Sequence, residues 1–500
     1  MPLSNKHGDR AGRIFCPAFN KGLDLSMPAE SIELGALKEA MNVEFSRSTG
    51  AMSVRGGLVW NGRFDMEIDQ VIDVPDGGFL VKGHNINRLW YFSGNCVWPV
   101  TGGLSNENGQ MIGAGWGEPG EMVVASGGKL QRFHPRGDNG FPSLMPIKGS
   151  PDECRNVFVR DGRVGVVDGP DTLRFSWVGD CEQWDNDPDD ESTGQFIEIG
   201  YKDGMDINAI VPLSKDLIIF KCPEGAPDKG IIWRLVGSFP EWYPVEVAHD
   251  TGTFSQRSVA IGGNDVFYLT PLGLTTLWTV TQYGEVRMAW PDQKVAPALR
   301  QSLRDDARLW SVPVKEQLWV RTNGEEKEIW VFDYGLGIWT QIEFPVSYPL
   351  IHVAGIGGEC HVFIYRDIYE LSDWYWADDI EADGGVTIKA KMQMGTILKG
   401  WQTLIKGAMA TFHVVPSCRA ELRLGEFKMP FVAPGEPDYI ADPPNTVQYA
   451  YEDDDPLFPP GNVLTSRRRC LVRDWAIVPE VVIEGGGFAL STMALETVEV

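Results

Sequence analysis

The chain is 500 residues long, 43% hydrophobic, and carries a net charge of −25 from 69 acidic against 44 basic residues. Single cores rarely grow beyond roughly 250–300 residues, so more than one domain is expected. The acidic balance argues against tight wrapping of nucleic acid, because neutralising phosphates needs clustered Lys and Arg.

The first residues, Met1–Arg13, are polar and charged and lack the apolar core of a signal peptide. Nothing in the chain approaches the run of about 18 apolar residues that a membrane helix needs, so no membrane insertion is expected. Eight cysteines (Cys16, Cys96, Cys154, Cys181, Cys222, Cys360, Cys418, Cys470) are scattered with no CxxC pair. They read as free, buried thiols of a chain folded in a reducing cytoplasm. Residues 1–60 form an N-terminal arm. It starts extended, makes a short amphipathic helical turn over Leu34–Met41, and continues as a strand at Met41–Phe45. A glycine turn at Thr49–Gly50 then leads to a second strand ending in Arg55–Gly56–Gly57.

From 61 to 380 a single unit recurs. Its clearest copy is Glu328–Ile342, EIWVFDYGLGIWTQI, in which alternating residues, a glycine turn and a closing Trp339 describe a hairpin. Looser copies lie at Leu89–Trp98, Leu173–Trp184, Ile231–Trp242 and Ile368–Trp374. Each is preceded by a pair of alternating strands, with starts at Val71, Ile112, Val157, Ile210, Val259, Leu309 and Ile351. The steps between them are 41, 45, 53, 49, 50 and 42 residues. Four short strands recurring at this spacing predict an all-β chain built on a β-propeller of six or seven blades. Only Ala36–Asn42 and Val295–Ala307 pattern as short helices.

Composition turns acidic around Ala377–Gly385, and a domain boundary is placed there. Residues 381–500 alternate again (from Val386, Ala420 and Val481) around a Pro-rich loop, Pro430–Pro460, and predict a C-terminal antiparallel β-sandwich. Arg467–Arg469 with Arg473 is the one dense basic run of this part, read as a solvated strand edge.

Catalytic and cofactor signatures are missing. The loop Gly179–Thr193 carries Asp185, Asp187, Asp189 and Asp190, but a calcium loop needs Gly sixth and Glu twelfth. Counted from Asp185 those places hold Asp190 and Phe196. This loop and Glu452–Asp455 therefore read as solvated acidic turns. The histidines (His7, His84, His134, His249, His352, His361, His413) stand singly, and neither GxSxG nor a P-loop occurs. Asp333–Gly335–Trp339 misses the sialidase Asp-box by one residue before the Trp, with Val331 in place of Ser or Thr. No catalytic, cofactor-binding or metal residue is nominated, no cofactor is expected, and the reading is of a protein that is not an enzyme.

Four stretches, in order, resemble the nozzle proteins of short-tailed bacteriophages, also called tail tubular protein B or packaged-DNA stabilisation proteins. The first is Gly22–Gly57, through Asn42–Val43, Gly50 and Arg55–Gly56. The second is Thr172–Trp184 with Ile197–Ile210, leading to LIIFK at Leu217–Lys221. The third is SVPVKEQLWV with Glu328–Ile342, and the fourth runs from Arg468 to Val500. The resemblance implies a structural virion protein of the tail, assembled in the host cytoplasm as a homo-hexameric ring. Such a ring would close the DNA channel below portal and adaptor proteins, contact tail fibres or tailspikes, and conduct double-stranded DNA without binding it tightly. Acids are then expected to outnumber Lys and Arg on the wall of the assembled channel. Two other readings remain: a carbohydrate-binding or carbohydrate-active propeller serving as a receptor-binding virion component, and a scaffold propeller that docks proteins.

Overall fold

The computed structural model describes residues 11–499, leaving aside 17–18, 20, 48–49, 76, 138–139, 188, 214, 281–284, 290, 346–347, 357, 373–376, 379–385, 415–418, 425–426, 433–448, 451–461 and 485–487. Each of the seven repeat starts falls inside the first strand of a four-stranded antiparallel meander. These are blade one (68–99), two (112–146), three (154–198), four (206–249), five (259–289), six (308–343) and seven (350–372). Blade seven has only three strands of its own. Its fourth is Gly57–Arg63, which pairs with Asp367–Ser372 and is pinned by Arg63 Nε donating to Asp367 Oδ1 at 2.7 Å.

Seven apolar clusters fill the seven gaps between neighbouring blades, as both faces of a small sheet must be covered to be stable. The gap between blades seven and one is filled by Phe79, Phe92, Phe363 and Ile368, with Phe79 edge-on to Phe363 at 4.9 Å. The ring is closed. Its outermost closing strand comes from before blade one, so the expected division at residue 60 runs through a propeller strand.

Apart from the short pair Ala377–Asp378 with Val386–Thr387, the remaining described strands form two sheets that share one core. One carries three long strands, Ile397–Val414, Asn462–Ile477 and Phe488–Glu499, flanked by Val43–Phe45, Met52–Val54 and Ala11–Cys16. The other runs Leu37–Met41, Lys389–Met394, Pro479–Glu484, Arg419–Leu424, Phe427–Val432 and is continuous with blade six. Leu37, Met52, Met392, Ile483 and Leu495 bury together with Leu318 and Trp339 of blade six. The sandwich is therefore built jointly by the C-terminal strands and the arm.

Two expectations are corrected. Leu34–Met41 is not a helical turn: Leu37–Met41 is a strand, antiparallel to Lys389–Met394 and touching blade six through the parallel pair Met41↔Gln341. Leu37 and Ala40, which suit a helical stripe, are both fully buried by this pairing, and tertiary packing overrides the local pattern. Trp184 does not close a hairpin. The loop through Asp190 is inserted between Thr172–Phe175 and its partner Gln195–Glu198, and Trp184 sits in that loop with its indole N–H on the Cys181 carbonyl at 2.8 Å. The helix within 295–307 is present as Ala296–Ser302.

Candidate functional site: the arm junction and the axial mouth

The junction is built on Asn42 and Arg55. Asn42 links strands Leu37–Met41 and Val43–Phe45 at φ 57°, a left-handed conformation that Asn tolerates better than most residues. Its side chain accepts from the Glu343 N–H of blade six and from Arg55 Nε, both at 3.0 Å, and donates to the Lys389 carbonyl at 2.9 Å. One amide thus ties the arm, the propeller and the C-terminal sheet.

Arg55 is fully buried and forms a bidentate pair with Asp378, Nη1 to Oδ1 at 2.8 Å and Nη2 to Oδ2 at 2.6 Å. Nη1 also donates to Gly56 O at 2.8 Å, Nη2 to Glu343 O at 3.2 Å, and the guanidinium lies over Phe344 at 4.7 Å. Asp378 takes a further N–H from Leu58 at 3.1 Å. Guanidinium offers five N–H donors, and five bonds are made. A buried ion pair is tolerable only when satisfied in this way. Alongside it, Lys315 of blade six donates to Glu44 of the arm at 3.0 Å, and Arg47 meets Glu316 at 2.6 Å.

A second buried node joins blades three and four. Lys221, fully buried, donates to Asp171 Oδ1 at 2.7 Å, Asp203 Oδ1 at 2.8 Å and Ile199 O at 2.7 Å. Burial pushes the Asp171 carboxyl up, but the Lys221 and Lys202 hydrogen bonds outweigh it and hold Asp171 below the ordinary carboxylate range. Residues of three of the resembling stretches (Asn42 and Arg55, Asp203 and Lys221, Lys315) therefore serve as structural ties.

The propeller axis carries a third charged group that sequence reasoning missed. Arg257, Arg308 and Arg321 gather at the end where the first strands begin, with Asp69 opposite. Burial, then the neighbouring Arg257 and Arg321 charges, bring Arg308 down to about 9, and burial brings Arg321 down to about 10. A signal was present: Arg308 directly precedes the repeat start Leu309, and Arg257 lies two residues before the start Val259.

The acidic loop is held from beneath by buried Arg163, which donates to Ser176 O at 2.7 Å and to the Glu191 carbonyl. Its carboxylates make local turns, Asp187 accepting from Asp189 N at 3.0 Å and Asp190 from Ser192 N at 2.9 Å. Among the described residues no three His, Cys, Asp or Glu side chains are placed to hold a metal. A cleft of about 280 Å³ between blades two and three is lined by Trp116, Arg132, Asp180 and Glu182. Cys154, Cys181 and Cys222 are buried free thiols and Cys360 is buried too, but Cys96 is exposed, because it opens the outermost strand of its blade. Arg467–Arg469 and Arg473 lie on Asn462–Ile477 paired to Ile397–Val414, with side chains outside the described set. His7, Cys418 and Glu452–Asp455 lie outside the described residues.

No family model and no curated protein matches the chain. Among solved structures, virginiamycin B lyase from Staphylococcus aureus is similar at 11% identity and TM-score 0.43, covering 63% of this chain and 97% of its own. The WD40 propeller domain of Doa1 gives 13% identity and TM-score 0.39, over 63% and 96%. PorZ, a surface component of the type-IX secretion system of Porphyromonas gingivalis, gives 11% and 0.40, over 88% and 59%. Their named roles differ, and none is carried over to this chain.

Proposed function

We propose that the protein is a non-catalytic structural part of a virion tail, the nozzle ring that closes and then conducts the DNA channel. The observation that carries this reading is the fusion of blade six, the arm and the C-terminal strands into one nine-stranded sheet, locked by the saturated Arg55–Asp378 pair. A subunit that must resist the force of packaged DNA needs its modules joined by continuous backbone pairing, not by a mobile linker. The resemblance of the four ordered stretches supports the same reading. Exposed aromatics on outermost strands, Trp60, Trp98, Phe196 and Tyr243, offer lateral contacts for a closed head-to-tail ring of six copies. Portal and adaptor proteins above, fibres or tailspikes at the side, and double-stranded DNA passing without tight binding complete the proposed setting. The acidic wall belongs to the assembled ring, through which phosphates must slide. Electron microscopy of the purified chain and of its native particle tests this. Six-fold rings at a tail support it; a chain that stays monomeric, or a ring whose lumen is basic, refutes it. A protein-docking scaffold is the second reading, favoured by the same exposed aromatics if copies do not associate.

A further inference from the structure

We propose that the axial mouth of the propeller binds a small oxyanion of the phosphate class, seated among Arg257, Arg308 and Arg321. In a closed ring the first strands run the same way, so their starts gather at one end of the axis. Arg308 opens the first strand of blade six, and Arg321 lies directly across from it in register. Arg257 belongs to the turn Gln256–Ser258, which packs against that same strand. Arg308 Nη1 donates to Ile351 O at 2.8 Å, and Arg321 Nη1 donates to Leu350 O, so both are anchored to blade seven.

Donors remain unspent. Arg321 is 5% exposed, and its Nε is buried without a partner. Among the described residues the Arg257 guanidinium has no hydrogen-bond partner, and the carboxylate whose charge acts on it is that of Asp69. Asp69 belongs to blade one, which is not a neighbour of blade five, so the two face each other across the axis. Its Oδ2 is already taken by Lys82 at 2.6 Å. Arg257, Arg308, Arg321 and Lys82 stand against Asp69 and Asp306, four positive groups to two negative. In a chain of net charge −25 this local excess is unexpected unless an anion completes it. Planar guanidinium forks match oxyanions geometrically. The burial of Arg321 favours a small ion over a polymer backbone.

The test uses the full chain and inorganic phosphate, and it does not depend on the ring proposal. Millimolar phosphate should raise the thermal midpoint by about 2 °C or more over chloride of equal ionic strength. Arg257→Gln breaks no interblade bond and should keep the phosphate-free midpoint while losing most of that shift. Phosphorus-31 line broadening of phosphate by the wild type, absent with Arg257→Gln, gives a readout independent of stability. No shift beyond chloride, or an equal shift and equal broadening in the variant, overturns the proposal. So does a short DNA duplex held through Arg257 when phosphate has no effect, which would assign the mouth to nucleic acid.

Discussion

Blades one and six are built from the same hairpin yet end differently. The closing Trp98 of blade one is 43% exposed, whereas Trp339 of blade six is 1% exposed. In blade one the outermost strand Cys96–Pro99 pairs, among the described residues, only with Leu89–Ser93. In blade six the arm lies against it: Leu23 N donates to Trp339 O at 2.9 Å, and Leu37–Met41 continues the sheet. The close approach needs Gly22, at φ 63°, where a Cβ would stand 2.7 Å from the Ile338 Cβ. The two tryptophans also lie on opposite faces of their blades, Trp98 across from Tyr91 and Trp339 across from Phe332, so the face and the docked edge together set how much each contributes.

The contrast can be broken at its lock or at its tryptophan. Asp378→Ala leaves Arg55 charged, buried and unpaired, and should cost about 3–5 kcal/mol in urea unfolding. Replacing both partners with Met and Leu should recover much of it, since apolar isosteres avoid the desolvation penalty. Trp339→Ala should cost about 3–5 kcal/mol by the cavity it leaves beside Phe332 and Trp330. Equal losses at Trp339 and Trp98 would erase the distinction between the two blades.

Asp292 sharpens the comparison, because it neighbours Pro291, whose carbonyl takes the Trp339 indole N–H at 3.0 Å. Burial pushes its carboxyl up to about 6, against the opposing pull of Arg300 and the Leu274 N–H. A folded-state value above the unfolded one means that the native state holds the proton more tightly. Asp292 therefore costs stability above pH 6, and the cost fades as pH falls toward its ordinary value of 3.8. Asp292→Asn should stabilise by about 1–3 kcal/mol at pH 8 and by almost nothing at pH 4, read from paired denaturation curves. The smallest effect, read on the isolated chain, is expected at Trp98→Ala, within about 1 kcal/mol, because among the described residues no further strand pairs with that edge.

Much of the propeller was legible because period-2 alternation and turn chemistry are local. All seven starts lie inside first strands, and the 328–342 hairpin is present as Glu328–Asp333 with Ile338–Glu343. What the sequence hid was set by distant partners. Leu37–Met41 reads as helix until Lys389–Met394, some 350 residues later, supplies its edge. Arg55 and Asp378 are 323 positions apart, and no single-chain pattern links them. Trp184 was displaced by an inserted loop, which a constant spacing of anchor and tryptophan cannot reveal. Arg257 and Arg308 stand two and one residues before the blade starts Val259 and Leu309, which comparison of those starts brings out, whereas Arg321 joins them only through its register across from Arg308.

Hydrogen exchange followed by mass spectrometry tests the shared sheet most directly. In the wild type, Leu37–Met41, Ile338–Glu343 and Lys389–Met394 should exchange together as one slow unit. In Asp378→Ala all three should speed up together while blades one to four keep their protection. Arm amides that exchange fast in the wild type, or that are unmoved by the substitution, would contradict a propeller and sandwich joined through blade six.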